Sequence, residues 1–239
     1  KQILREAGSG SAEQWFEQGR EAYDDGHYDS SASAYLRAAA GGYRKDVALY
    51  NAACSFALDG QKDEALQTLQ KALDAGFDDL DQVAMDSDLA ALRAEPRYQE
   101  MARRSGVAER AAALKRDAVA TFEELQRAHA PEAGEWGEVG VDLLRLGDYE
   151  RARQAFAAQY ALDDGANPLY NSACASALAG DRRPALDMLE RAILAGYSGS
   201  DHMIEDADLA ALRVEPRFKE LIKLSDDLEL NSSPGIWKI

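Results

Sequence analysis

Leu49-Tyr50-Asn51-Ala52-Ala53-Cys54 returns 120 residues later as Leu169-Tyr170-Asn171-Ser172-Ala173-Cys174. The likeness runs on from there. Ala57-Leu58-Asp59-Gly60 returns as Ala177-Leu178-Ala179-Gly180, and Asp88-Leu-Ala-Ala-Leu-Arg93 as Asp208-Leu-Ala-Ala-Leu-Arg213. Glu95-Pro96-Arg97-Tyr98 then matches Glu215-Pro216-Arg217-Phe218, and about half the positions from 49 to 100 are identical to their shifted partners. Self-similarity on this scale dictates architecture, because a duplicated chain builds duplicated structural units.

A shorter period runs inside each copy. Trp15, Gly19, Gly26, Tyr28, Tyr35 and Ala38 set a spacing that continues in Leu49, Ala53, Gly60, Ala65, Leu69 and Ala72. Trp136, Gly140, Gly147, Tyr149, Ala152 and Phe156 repeat it, and so do Leu169, Ala173, Gly180, Ala185, Leu189 and Ala192. Gly26, Gly60, Gly147 and Gly180 fall where one helix must end and the next begin, a position that favours positive φ. Gly19, Ala53, Gly140 and Ala173 are expected opposite Ser31, Ala65, Ala152 and Ala185, small against small, so that two helix axes approach closely. A hairpin of this kind buries one face only and must stack on a neighbour.

Both copies then leave the period. Asp86-Ser-Asp-Leu-Ala-Ala-Leu-Arg and Asp206-Ala-Asp-Leu-Ala-Ala-Leu-Arg read as a short helix with an Asp N-cap, and Pro96 and Pro216 suit the first turn of another. Leu89, Leu92 and Tyr98, with Leu209, Leu212 and Phe218, are expected to face inward. Leu114, Ala118, Phe122, Leu125 and His129 keep one face of a helix over 107–129. Asn231-Ser-Ser-Pro-Gly reads as a helix stop before an extended tail ending Ile236-Trp237-Lys238-Ile239.

The short period resembles the tetratricopeptide repeat (TPR), about 34 residues long, and the D-x-D-L-x-x-L-R-x-x-P-R-[FY] string resembles the end-of-group segment that closes short TPR arrays in many bacterial proteins. The resemblance implies an all-α fold, an α-α superhelix of TPR-like hairpins, internally duplicated. The expected organisation is a linker or tag-like segment over 1–11, a first module over 12–106 and a connecting helix over 107–131. A second module over 132–228 and a C-terminal tail over 229–239 complete it.

Composition narrows the function. A formal net charge of −16, with acidic excess in both halves, repels phosphate backbones and anionic lipid, so neither nucleic acid nor membrane insertion is expected. No run approaches the roughly 18 apolar residues that cross a bilayer. A soluble protein of the bacterial cytoplasm or periplasm is expected, with the compartment open. The chain opens on Lys1 rather than methionine, which leaves room for a removed signal peptide. Cys54 and Cys174 form no CxxC or metal spacing and occupy equivalent repeat positions. One reading makes them a thiol pair lining a groove. The other, preferred because nothing basic lies nearby to favour a thiolate, makes them two small half-buried side chains left by duplication.

Catalytic patterns are missing. His27, His129 and His202 are scattered, and there is no HExxH, GxSxG, GxGxxG or GxxxxGK[ST]. An EF-hand counted from Asp86 would place Gly and Glu where Ala91 and Arg97 stand, so the acidic residues around it read as helix caps. The chain is therefore expected to have no catalytic residues, no metal ligands, no cofactor and no enzymatic activity.

In TPR folds the first helices of successive hairpins line a concave groove for a peptide. Carried over position by position, the resemblance places Phe16, Arg20 and Tyr23 there from the first hairpin and Tyr50, Cys54 and Leu58 from the second. Val141 and Arg145 follow from the third, and Tyr170, Cys174 and Leu178 from the fourth. Asn51 and Asn171 match an asparagine that can bond a ligand backbone. Against this, the tyrosines could simply pack on the adjacent hairpin and the asparagines fix helix ends. The subfamily that clamps a C-terminal carboxylate does not fit, since Phe16 and Arg20 stand at its first positions. The expected partner is a protein or peptide, and the expected function a non-catalytic binding scaffold. The alternative is a regulatory or sensor segment of a larger bacterial peptidase or kinase whose catalytic domain lies elsewhere. A third reading has the chain self-associate, the Trp237 tail entering a neighbour's groove.

Overall fold

The computed structural model describes residues 10–232, with side chains over 10–230. The tail readings placed on Ile236–Ile239, including self-association through Trp237, lie outside the described residues, as does most of the linker segment. Among the described residues there is no strand, and no helix is long and apolar enough to cross a membrane.

The chain divides into two compact units between Ala112 and Ala113. In the first, α1 (Ala12–Asp24) and α2 (Tyr28–Ala40) form one hairpin, α3 (Lys45–Leu58) and α4 (Lys62–Asp74) the next. Short α5 (Leu80–Met85), a 3-10 turn (Ser87–Leu92) and α6 (Pro96–Ser105) close it. Helix α7 (Val107–Arg127) contains the division. The second unit repeats the scheme with α8 (Ala133–Arg145) and α9 (Tyr149–Asp163), then α10 (Ala166–Leu178) and α11 (Arg182–Leu194). It closes with α12 (Ser200–Glu205), a 3-10 turn (Ala207–Leu212) and α13 (Pro216–Ser232). The fold is an all-α superhelical repeat of helical hairpins.

Local chemistry sets the boundaries. Ser11 caps α1 through a capping box, its hydroxyl accepting from the Gln14 amide at 3.1 Å while Gln14 accepts from the Ser11 amide at 2.8 Å. At the end of α3 the Gln61 amide reaches back to the Phe56 carbonyl and the Gly60 amide to that of Ala57. That reversal holds Gly60 at φ 78°, and Gly180 at φ 85° repeats it. Helix α7 stops at Arg127, short of the expected 129. Pro131 restricts the residue before it to extended backbone and offers no amide, so the helix has to end upstream.

Packing inside the hairpins depends on absent side chains. A methyl group on Gly19 would lie 2.9 Å from the Tyr35 ring, and one on Gly140 2.6 Å from Phe156. Where α1, α2 and α3 meet, a buried polar thread replaces bulk. The Ser31 hydroxyl donates to the Gly19 carbonyl at 2.8 Å and lies 2.9 Å from Ser55 Oγ, and the Ser55 hydroxyl donates to the Asn51 carbonyl.

The closing segments cover the last hairpin of each unit. Leu89, Leu92 and Tyr98 are buried, as are Leu209, Leu212 and Phe218. Each polar residue of the repeated string also has a partner. Asp86 and Asp206 cap the 3-10 turns, and Arg93 and Arg213 donate back to the carbonyls of those same aspartates. Glu95 pairs with Lys62 and Glu215 with Arg182. Pro96 occupies the first turn of α6. In the second unit Ala118, Phe122 and Leu125 of α7 join Trp136, Val139 and Phe156 in one core, so that half of the helix is packed structure of the second unit.

Candidate functional site

The duplicated Tyr-Asn-x-x-Cys stretch lies on α3 and α10, the first helix of the second hairpin in each unit. Tyr50 and Tyr170 are buried, 1% and 5% exposed. Each stacks on a ring from the loop after the hairpin, Tyr50 on Phe77 and Tyr170 on Tyr197, with centroids 4.2 Å apart in both cases. Each hydroxyl donates to a carboxylate of the closing segment, Tyr50 to Asp86 and Tyr170 to Asp206, both at 2.5 Å. The thiols follow, with Cys54 Sγ 3.6 Å from Asp86 and Cys174 Sγ 3.7 Å from Asp206. A tyrosine and a cysteine one turn apart thus share one aspartate in each unit.

The first unit adds to this core. Tyr23 of α1 donates to Asp88 at 2.5 Å, and Asp86 accepts from the Asp88 amide. Tyr23, Tyr50, Asn51 and Cys54 line a cavity of about 390 Å³ with Asp86 and Asp88. Tyr35, Gln82 and Ser87 complete the wall. The cavity draws on α1, α2, α3, α5 and the 3-10 turn, so it exists only when both hairpins and the closing segment are assembled.

Burial governs the electrostatics. It pushes the Asp88 carboxyl up from the ordinary range, against the hydrogen bond from Tyr23, with Asp86 adding repulsion. Burial also holds the phenols of Tyr23, Tyr50 and Tyr170 far above their usual value. The Cys54 thiol is pushed well up, first by burial and then by the two aspartates, and Cys174 likewise by burial and Asp206. Both cysteines are therefore protonated, which removes the thiolate that nucleophilic or redox chemistry uses. The ligand atoms of Cys54, Asp86 and Asp88 lie within 4.8 Å of one another and are the residues that could hold a metal ion. Two of the three already accept from tyrosine hydroxyls.

Phe16, Arg20 and Arg145 lie outside this cavity. Phe16 is buried, its ring edge-on to Tyr35 and Tyr43. Arg20 is exposed and paired along its own helix with Glu17 and Asp24. Arg145 is exposed at the end of α8. Asn51 and Asn171 are half-exposed. Sequence reasoning did not name Asp86, Asp88, Tyr35, Gln82 or Ser87 as part of the site. The aspartates were read as helix caps, and Asp86 is one. Its second oxygen, the one facing Tyr50, carries no local signal.

The second unit holds another hollow, of about 480 Å³, with Tyr160, Pro184, Met188 and Arg191 in its wall. Ala157 and Ser176 also line it, at positions where the first unit carries Leu36 and Phe56.

Paired helices in series, closed by a capping segment, define a helical-repeat protein. Residues 47–75, covering α3 and α4, match the tetratricopeptide repeat family model, and the other three hairpins are likewise pairs of consecutive helices. No curated protein matches the chain. Among solved structures, YrrB, a TPR protein with an unusual peptide-binding site, is 21% identical, with 85% of this chain and 94% of that chain aligned at a TM-score of 0.37.

Proposed function

We propose that the chain is a non-catalytic scaffold that binds a protein or peptide along the first helices of its hairpins. The observation that carries this reading is the half-exposed asparagine set beside a buried Tyr–Asp–Cys cluster at equivalent places in both units. Packing alone accounts for Tyr50 and Tyr170. The Asn51 amide, partly exposed and hydrogen-bonded with Tyr35, also lines the cavity of the first unit. Aromatic rims with a few directional polar groups suit an extended peptide, since they combine contact area with main-chain hydrogen bonds. Protonated, buried thiols and the lack of any nucleophile–base pair among the described site residues support binding rather than turnover.

Selection from a random displayed peptide library on the purified chain tests this. Enriched peptides should lose about tenfold or more in affinity for Asn51→Ala or Asn171→Ala, with circular dichroism checking that each variant stays folded. Peptides that bind both variants as tightly as the natural chain would place recognition elsewhere. Failure to enrich any peptide would contradict the scaffold reading itself.

A further inference from the structure

Resting on that reading, we propose that the cavity of the first unit receives the ammonium group of a lysine side chain on the bound peptide.

Asp86 and Asp88 bring four carboxylate oxygens to one wall, with about eight acceptor sites. The donors facing them are the Tyr50 and Tyr23 hydroxyls, the Cys54 thiol and the Asp88 amide. Acceptor capacity is left over, and the donors present are neutral. Burial, with the neighbouring Asp86 adding to it, disfavours the charge on Asp88. A group that only donates and carries positive charge relieves both conditions. An ammonium has three donors and no acceptor, and the Asn51 and Ser87 oxygens stand in the same wall.

The duplicate unit supplies the second line of argument. There the equivalent of Asp86 is Asp206, and the equivalent of Gln82 is His202. His202 Nε2 lies 3.8 Å from Asp206 Oδ2, so the second unit sets an ionisable nitrogen of its own against this carboxylate. The first unit has an exposed, neutral glutamine at that place. In the hairpin register set by Gly19 and Gly140, Tyr23 and Tyr35 are replaced by Leu144 and Phe156, and Ala207 stands for Ser87. The duplication thus gave one unit an internal nitrogen beside the aspartate and fewer hydroxyls around it. The other kept the hydroxyls, with an exposed glutamine in the cavity wall. With a net charge of −16 the whole chain favours the approach of a basic peptide.

A divalent metal is the competing cation for the same oxygens. The third atom near those oxygens is the Cys54 sulfur, held as a protonated thiol by burial and both aspartates and so a poor metal ligand.

The test is an NMR titration of the isotope-labelled full chain with acetyl-Gly-Lys-Gly-amide and, in parallel, the same peptide acetylated on the lysine. The expected result is saturable movement of the Asn51, Gln82, Ser87 and Asp88 amides by the first peptide, with a dissociation constant about tenfold or more below that for the second. Asp88→Asn should weaken the lysine peptide. Gln82→Lys, a change at an exposed position, should abolish its effect by supplying an ammonium in place. Equal shifts from both peptides, or none at about 10 mM, a range that detects millimolar binding, would overturn the proposal. So would the same shifts produced by zinc or calcium chloride with none from the lysine peptide. The scaffold reading is judged separately: a selected peptide that depends on Asn51 but binds Asp88→Asn unchanged leaves the groove standing and removes the lysine.

Discussion

At the scale of single residues, the site turns on phenol-to-carboxylate hydrogen bonds that recur with the same length in both units, Tyr50 to Asp86 and Tyr170 to Asp206. A hydrogen bond to a charged group contributes roughly 1.5–3 kcal/mol, and its loss strands a half-buried acceptor. Tyr50→Phe and Tyr170→Phe keep the stacked ring and remove only the donor. Each should lower stability by about that amount in denaturant unfolding, and by similar amounts, because the geometry is the same. A negligible loss would mean the hydroxyls are incidental to packing. Asp88 yields a pH prediction. Its carboxyl is raised in the folded chain, so the folded state holds its proton more tightly than the unfolded one. That contribution is present below the unfolded value of about 3.9 and is lost as pH rises through the raised folded value. The groups facing Asp88 are the Tyr23 hydroxyl of α1, the Cys54 thiol of α3 and the neighbouring Asp86, and none carries a positive charge. Subtracting the stability profile of Asp88→Asn from that of the natural chain should leave a component that falls with rising pH over that window. A component that rises would show the carboxylate to be stabilised by the fold. The half of this site that lies on α3 was legible because the repeat displayed it twice. The other half was not, because Asp86 stands 36 residues from Tyr50, and a capping aspartate looks the same whether or not its second oxygen is occupied.

Elements were read from small residues, and the structure explains why that works. Gly19 and Gly140 are fixed by aromatic rings standing where a side chain would begin. Gly140→Ala would put a methyl group 2.6 Å from Phe156, which is fully buried. Overpacking of this kind costs about 1–3 kcal/mol. Gly134, at the start of the same helix, has open space around its Cβ position, and alanine there should stabilise by up to about 1 kcal/mol through helix propensity. Thermal unfolding of the two variants should therefore move in opposite directions, and movement in the same direction would contradict the close-packed hairpin. The closing segments were legible as covers with buried leucines. Their polar residues were not, since the bonds of Arg93 and Arg213 back to the aspartate carbonyls, and of Glu95 and Glu215 to the preceding helix, depend on how a 3-10 turn folds against a hairpin.

Across the whole chain, duplication gave two units with one plan and different side chains. The plan persists in leucines, glycines and the Tyr–Asp–Cys cluster. The units differ by Tyr23 and Tyr35 against Leu144 and Phe156, and by Leu36 and Phe56 against Ala157 and Ser176. Helix α7 was read as a connector from its single apolar stripe. That stripe proves to belong to a core, with Phe122 edge-on to Trp136, a pairing between residues that no local pattern links. The central claim is that a peptide lies on the first helices, and amide hydrogen exchange of the chain with and without a library-selected peptide tests it most directly. The account predicts added protection in α3 or α10 and in the closing turns at Gln82–Asp88 or His202–Asp208. Protection confined to α4 or α11, with those segments unchanged, would put the ligand on the second helices and contradict it.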